Sequence, residues 1–305
     1  MHFTDNGKGI NMNGYSSDKL VFSAIGHVYI LIVAALCILP FILIISGSLS
    51  NQEAILKYGY SLLPREFSLS AYQIAFEKPQ AIVNAYLVTI MTTLAGTAAG
   101  LFFTSMTGYV LSRKDFEWRN KFSFFFYFTT LFSGGLVSWY IMIVKYLRLG
   151  DSFIALVLPV ILNVFYIIIM KSFMTSIPSA VSESARIDGA NDFEIFIKLI
   201  LPLSKPALAS IGLFIALGYW NDWFLAYMFI QKDSLFTLQY YLYKIVAGAD
   251  ALAKLSFVPG RDSSAIPTEI LKLAMTVIAT GPIVLLYPFV QRYFVSGLTI
   301  GAVKG

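Results

Sequence analysis

The chain runs for long stretches without a single charged side chain. From Leu20 to Gln52, Pro79 to Ser112, Phe122 to Val144, Ser152 to Met170, Pro206 to Asn221 and Leu273 to Gln291, no Asp, Glu, Lys or Arg interrupts it. A helix of about 20 mostly apolar residues crosses the hydrocarbon layer of a bilayer, and the fifth run reaches that length by continuing through Asp222 to Gln231. In lipid every backbone N–H and C=O must be satisfied inside the segment, so each run predicts a helix. Composition agrees, with 57% apolar and only 13% charged residues. The mean hydropathy of +0.72 is that of a membrane protein. The pattern predicts an all-α polytopic membrane protein with six transmembrane helices.

The first run begins near Phe22, behind Lys19, and small residues (Ser46, Gly47, Ser48) follow it, as in a secretory signal. Its apolar stretch is longer than a signal core, which predicts a retained span. Cys37 is the single cysteine, so an intrachain disulfide is excluded, and it is expected to serve as a small core hydrophobe. With His2 and His27 as the only histidines, no cluster of Cys, His and carboxylates has metal-ligand spacing. The chain has no G-x-x-x-x-G-K-[ST] loop to cradle phosphates, and the Gly7-Lys8-Gly9 triplet is too short to stand in for one. It is expected to bind no cofactor and to be no enzyme, so that any energy from ATP must come through a partner. Arg113, Lys114, Arg119 and Lys121 crowd the connection after the second run, which predicts that this connection is cytoplasmic. An even number of spans then puts both termini inside the cell.

Gly96, Gly100, Thr104 and Gly108 recur every four residues along the second run and place small side chains on one helix face, where another backbone can approach closely. The neighbour is expected within the chain or, alternatively, on a second subunit. Pro40, Pro159, Pro282 and Pro288 are expected to kink their helices. In the fifth run, Trp220, Asn221, Asp222 and Trp223 stand where lipid-facing residues should be apolar, so Asp222 must face protein or water. The four are expected to act in a pathway or gate, with a structural role ranked above direct contact with substrate.

Against this apolar background the stretch SESARIDGANDFEIFIKLILPLSKP, Ser182 to Pro206, concentrates charge. Pro178 suits the start of a helix running to about Ile187, and Gly189 can take the left-handed conformation that ends it. Asn191 is placed to cap a second helix, with Glu194 as its capping-box partner. Pro202 and Pro206 mark the passage into the fifth span. A charged helical elbow between membrane helices, here residues 176–206, has no use in lipid and suits a docking surface.

These residues resemble the cytoplasmic loop signature of permease subunits of bacterial ATP-binding-cassette importers: E-A-A, then Gly, then I-x-L-P. Glu183, Ala185, Gly189, Leu201 and Pro202 fall at its positions, while Ser184 replaces the second residue and Leu199 the isoleucine. The ARIDGA run, Ala185 to Ala190 with Asp188 inside it, is similar to the form found in carbohydrate importers. The closing segment from Tyr287 to Gly305 resembles the tail of the second-permease type in the maltose-transporter family. Leu131 to Tyr140 and Thr237 to Ile245 resemble the branch that handles pectin and complex oligosaccharides.

The resemblance implies a type I ABC importer permease fold, with residues 1–20 as a cytoplasmic segment, 21–295 as the six-helix domain and 296–305 as a cytoplasmic tail. It implies half of a translocation pore for carbohydrate in the bacterial plasma membrane, working by alternating access. The partners would be a second permease subunit, two ATPase subunits holding ATP and Mg, and an extracellular solute-binding protein, with no nucleic acid. Residues around Ser179 to Gly189 would enter a cleft on an ATPase, Glu183 meeting a basic residue there. The rival expectations are a proton-coupled secondary transporter built on Asp222 and a non-transporting membrane scaffold or sensor.

Overall fold

A computed structural model describes residues 12–255 and 267–302. Among the described residues the regular elements are helices, with a single isolated bridge between Ser50 and Phe67. The chain divides into two compact units: the residues through Ile74 together with Glu269–Val277, and the remainder.

In the first unit, α1 (Met12–Ser48) contains the 28-residue apolar segment Val21–Ser48. Its side chains are exposed along most of that length, Cys37 among them, which corrects the expectation of a core cysteine. The segment is apolar all round, so an apolar surrounding sequence does not mark which side chains this chain covers. Small hydroxyls close the helix end. Ser48 Oγ donates to Ile45 O at 2.8 Å and lies 2.8 Å from Tyr72 Oη, and Ser50 Oγ donates to Ser46 O. Asn51 caps α2 (Gln52–Tyr58), and a small core of Ile55, Ala71, Ile270 and Ala274 holds α2 and α3 (Ser70–Ala75) to the first turns of α14 (Thr268–Ala302).

The second unit is built along α4 (Pro79–Ser112), which packs chiefly against α7 (Val164–Thr175) and α11 (Lys205–Trp220). The stripe of small residues is filled from within the chain. A Cβ at Gly96 would run into the Tyr219 ring of α11, and one at Gly108 would meet Met170 of α7 at 2.8 Å. Tyr219 is held in that position, because its hydroxyl donates to Val157 O at 2.8 Å.

Two of the expected spans are not straight helices, and a third bend lies where the elbow enters the fifth. Arg119–Leu131 (α5) and Gly135–Tyr146 meet at 114°, Phe153–Val160 and Val164–Thr175 at 55°, and Asp192–Leu203 and Lys205–Trp220 at 84°. Gly135, at φ +79°, opens α6 (Gly135–Ile141) at the first break, where a residue with a Cβ would be strained. Pro159 lies in the second broken pair, whereas Pro40 lies inside the continuous α1. Among the described residues, three helices are long and apolar enough to cross a membrane, or up to six if each bent pair counts as one span.

A second core of Ile143, Leu156, Leu225, Phe229 and Phe236 gathers α12 (Phe224–Phe229) and the residues entering α13 (Leu238–Leu255). Asp151 pins the loop beside it, its Oδ1 accepting from the amides of Gln231 and Lys232. α14 continues to Ala302, through most of the stretch assigned to the tail; Val303, Lys304 and Gly305 lie outside the described residues, as does the opening segment before Met12.

Candidate functional site

The elbow consists of α8 (Ser179–Ile187), α9 (Asp192–Ile195), a π-turn over Phe196–Ile200, and α10 (Leu201–Leu203). Pro178 stands immediately before α8, as its N-cap rather than inside its first turn. At the other end, the Gly189 amide donates to Arg186 O at 3.0 Å and the Ala190 amide to Ala185 O at 2.9 Å. These two bonds form a Schellman motif, which satisfies carbonyls that the ending helix leaves free and needs a left-handed residue between them. Gly189 supplies it at φ +85°. Ala185 and Ala190, the residues brought together, both pack on a buried core of Tyr109, Met170, Ile195, Phe196 and Ile211. The alternation of alanine and glycine in the signature thus has a local cause: two small side chains seat the turn, and a glycine reverses it.

The next residues begin a new helix at once. Asn191 Oδ1 accepts from the Glu194 amide at 2.9 Å and Glu194 Oε2 accepts from the Asn191 amide at 3.2 Å, closing the capping box. Glu194 also accepts from Lys198 at 3.0 Å, and this pair holds its carboxyl below the usual range. Pro202 has no N–H to offer the preceding turn, and the π-turn lies directly before Leu201 and Pro202. Such turns are rare and gather at functional sites. Phe196 is buried and stacks on Tyr109 of α4 with ring centroids 5.4 Å apart, while Leu201 packs against the same core.

The outward face of the elbow is different. Ile187 is 87% exposed and Phe193 60% exposed, on either side of the Gly189 turn. Glu183 is exposed, and its carboxylate forms no hydrogen bond or ion pair among the described residues. Asp188 is the exposed C-cap of α8. A cleft of about 330 Å³ opens beside α8, with Ser112, Arg113, Lys114, Ser179, Glu183 and Arg186 in its walls.

An ion-pair ring binds this elbow to the loop after α4. Arg113 donates through Nε and Nη2 to the two carboxylate oxygens of Asp115, at 3.0 and 2.6 Å, and its Nη1 lies 2.7 Å from Asp192 Oδ2. Arg186 Nη2 reaches Asp115 Oδ2 at 3.0 Å and Asp192 Oδ1 at 3.3 Å. The hydrogen bonds from Arg113 hold the Asp115 carboxyl well below the ordinary carboxylate range, and Asp192 is lowered by the same guanidinium. The bond to Asp115 in turn raises Arg113. The sequence shows Arg113 only as one member of a basic cluster. The signal that could have singled it out is its register just past α4, opposite a carboxylate two residues on.

Trp220, Asn221, Asp222 and Trp223 lie away from the elbow, at the other end of α11, and they diverge. Trp220 is buried, its Nε1 donating to Ala279 O at 3.2 Å. Asn221 donates back to Leu217 O at 2.9 Å. Asp222 Oδ1 accepts from the Leu225 amide at 2.9 Å, and Thr237 Oγ1 donates to Asp222 O at 3.2 Å, so this residue ties the start of α12 to the approach to α13. Trp223 is partly exposed and stacks on Tyr243 at 4.8 Å.

With this geometry in place, comparison with known proteins gives a consistent result. Residues 97–300 match the model of a family described as binding-protein-dependent transport system inner membrane component. The polygalacturonan/rhamnogalacturonan transport system permease protein YtcP of Bacillus subtilis (strain 168) is 39% identical over 285 residues, which cover 93% of this chain and 99% of that protein. Protein LplC of the same organism is 38% identical over 273 residues, covering 90% and 91%. Among solved structures, a chain of a bacterial ABC transporter involved in the import of the acidic polysaccharide alginate aligns with a TM-score of 0.74 at 29% identity. That alignment covers 96% of this chain and all of the other.

Proposed function

The chain belongs to the family of binding-protein-dependent transport system inner membrane components, and from that premise we propose that it is one half of the translocation pore of an ATP-driven importer of acidic oligosaccharides. The family's members are permeases, the non-catalytic membrane subunits of such systems. The substrate class rests on the relatives, one a permease for polygalacturonan and rhamnogalacturonan and the other a part of an alginate importer. A second permease subunit completes the pore, an extracellular binding protein delivers the sugar, and two cytoplasmic ATPases hold ATP and Mg. Both termini and the elbow lie in the cytoplasm, and residues 296–305 assist in ATPase docking.

The observation that carries this reading is the outward face of the elbow. Two large apolar side chains, Ile187 and Phe193, flank a tightly built turn on a helix whose opposite side is cemented to the core. Exposed apolar surface next to charge is what a protein partner covers. Glu183 remains available for a basic residue of the ATPase, and Asp188, Gly189 and Ala190 set the angle at which the face is offered. Leu201 and Pro202 anchor the elbow where it turns into α11. When the ATPases close on ATP, the elbow is displaced and the packed helices rock between inward-facing and outward-facing states. The local bonds of Asp222 support a structural role for the Trp220–Trp223 group, which fixes the helix ends beside the pathway, over proton transfer.

The test is uncoupling. Proline cannot adopt φ +85°, because its ring fixes φ near −65°, so Gly189→Pro removes the turn, and Glu183→Arg reverses the charge on the docking face. Either change is expected to leave the complex in the membrane while separating ATP hydrolysis from uptake of an oligogalacturonate by reconstituted vesicles. Normal uptake per ATP in both variants would overturn the assignment.

A further inference from the structure

The elbow contains several points at which a displacement could be absorbed. Gly189 is a left-handed turn, Phe196–Ile200 is a π-turn, and at Ser204 the chain bends by 84° into α11. If the outer arm were held by its chain connections alone, a push on α8 would be taken up at these places and little of it would reach the spans. The Arg113–Asp115–Arg186–Asp192 ring bridges this gap in stiffness. It joins the tip of α8 and the first residue of α9 to the residues that follow α4, the helix against which α7 and α11 pack.

We infer that Arg113 is a positioning residue for transport: through this ring it makes the elbow and the C-terminal end of α4 one rigid body, so that displacement of the elbow is delivered to α4. The inference rests on the coupling role proposed above and adds the path by which the motion leaves the elbow. Two features of Arg113 suit it to this role. Its guanidinium is planar, and the edge carrying Nε and Nη2 grips Asp115 in a bidentate pair while Nη1 remains for Asp192, an arrangement that an ammonium cannot copy. It also lies 5.8 Å over the Tyr109 ring, which stacks on Phe196 of the π-turn, so the ring and the apolar core hold the same two elements together from two sides. Arg186 closes the circuit by pairing with the same two carboxylates that Arg113 grips, so its contacts depend on the orientation that Arg113 gives them.

The test is a distance measurement on the complete importer, with Cys37→Ser removing the native thiol. Spin labels at Glu117→Cys in the loop and Ser184→Cys on α8 read the clamped pair. Labels at Ser184→Cys and Asp233→Cys read the motion of the elbow against the far end of the unit. Pulsed electron resonance is recorded without nucleotide and with ATP under Mg chelation. The expected result is an ATP-induced shift for the 184–233 pair and none for the 117–184 pair. Adding Arg113→Gln, or the milder, nearly isosteric Asp115→Asn, which weakens the pairs to both Arg113 and Arg186, is expected to broaden the 117–184 distribution and shrink the 184–233 shift. A 117–184 distance that changes with ATP, or one that stays as sharp in both variants as in the parent, would overturn the clamp while leaving the coupling role standing. No 184–233 shift in the parent would overturn the coupling role, and the clamp with it.

Discussion

The Arg113 guanidinium, just past the end of α4, meets the Asp192 carboxylate at the start of α9 at 2.7 Å, and this contact joins two segments that are remote in sequence. One segment is the basic connection that charge places inside the cell; the other is the elbow that carries the signature residues. Their contact ties the charge argument and the motif argument to one side of the membrane.

The ring sets a pH dependence. Asp115 and Asp192 are both held below the ordinary carboxylate range, first by the hydrogen bond from Arg113. A depressed folded-state pKa contributes stability that is complete above the unfolded value, about 4 for aspartate, and is lost as pH falls through the folded value. The pairs are partly solvated, so each contributes only about 0–1 kcal/mol. Amide exchange at residues 179–200, corrected for intrinsic rates, should therefore give constant protection from pH 8 down to about 5 and loss only in stronger acid. Loss of protection near neutrality would contradict this.

Gly96 predicts a steric effect inside the membrane. Any Cβ there meets the Tyr219 ring, whose hydroxyl is tied to Val157 O. Gly96→Leu should cost about 1–3 kcal/mol through overpacking, seen as a lower unfolding midpoint in detergent. The double variant with Tyr219→Leu should recover part of that loss; no recovery would mean that the two side chains do not share the space.

Asp222 acts through an oxygen that accepts one amide. Asparagine keeps an oxygen at that position, whereas leucine leaves the Leu225 amide unpaired, at a cost of about 1–3 kcal/mol. Asp222→Asn should retain ATP-driven uptake and Asp222→Leu should reduce it. Collapse of uptake in the asparagine variant, with transport following a proton gradient in the absence of ATP, would instead favour proton coupling.

The features legible in the sequence were those written locally. The Asn191–Glu194 capping box and the Gly189 turn depend on residues within a few positions, and both formed as expected. The spans were legible because charge is excluded from lipid, yet their breaks were not, since the uncharged run from Phe122 to Val144 reads as one helix by hydropathy. The adjacent Gly134 and Gly135 were the available signal for its break. Arg113 could not be paired with Asp192 from sequence, because the choice among many surface carboxylates is made by the packing of α4 on the elbow. Cys37 is exposed rather than in the core, because in an all-apolar helix hydropathy does not separate a core-facing residue from an exposed one.

Placing a photoreactive amino acid at Ile187, the most exposed large apolar side chain of the elbow, asks directly whether the elbow docks on an ATPase. The measurement is irradiation of whole cells followed by mass identification of whatever is joined to that position. A covalent adduct with the ATPase subunit is expected, stronger when the ATPases are held closed. Adducts confined to lipid or to the chain itself, with the complex intact, would show that the elbow is not where ATP hydrolysis reaches the pore.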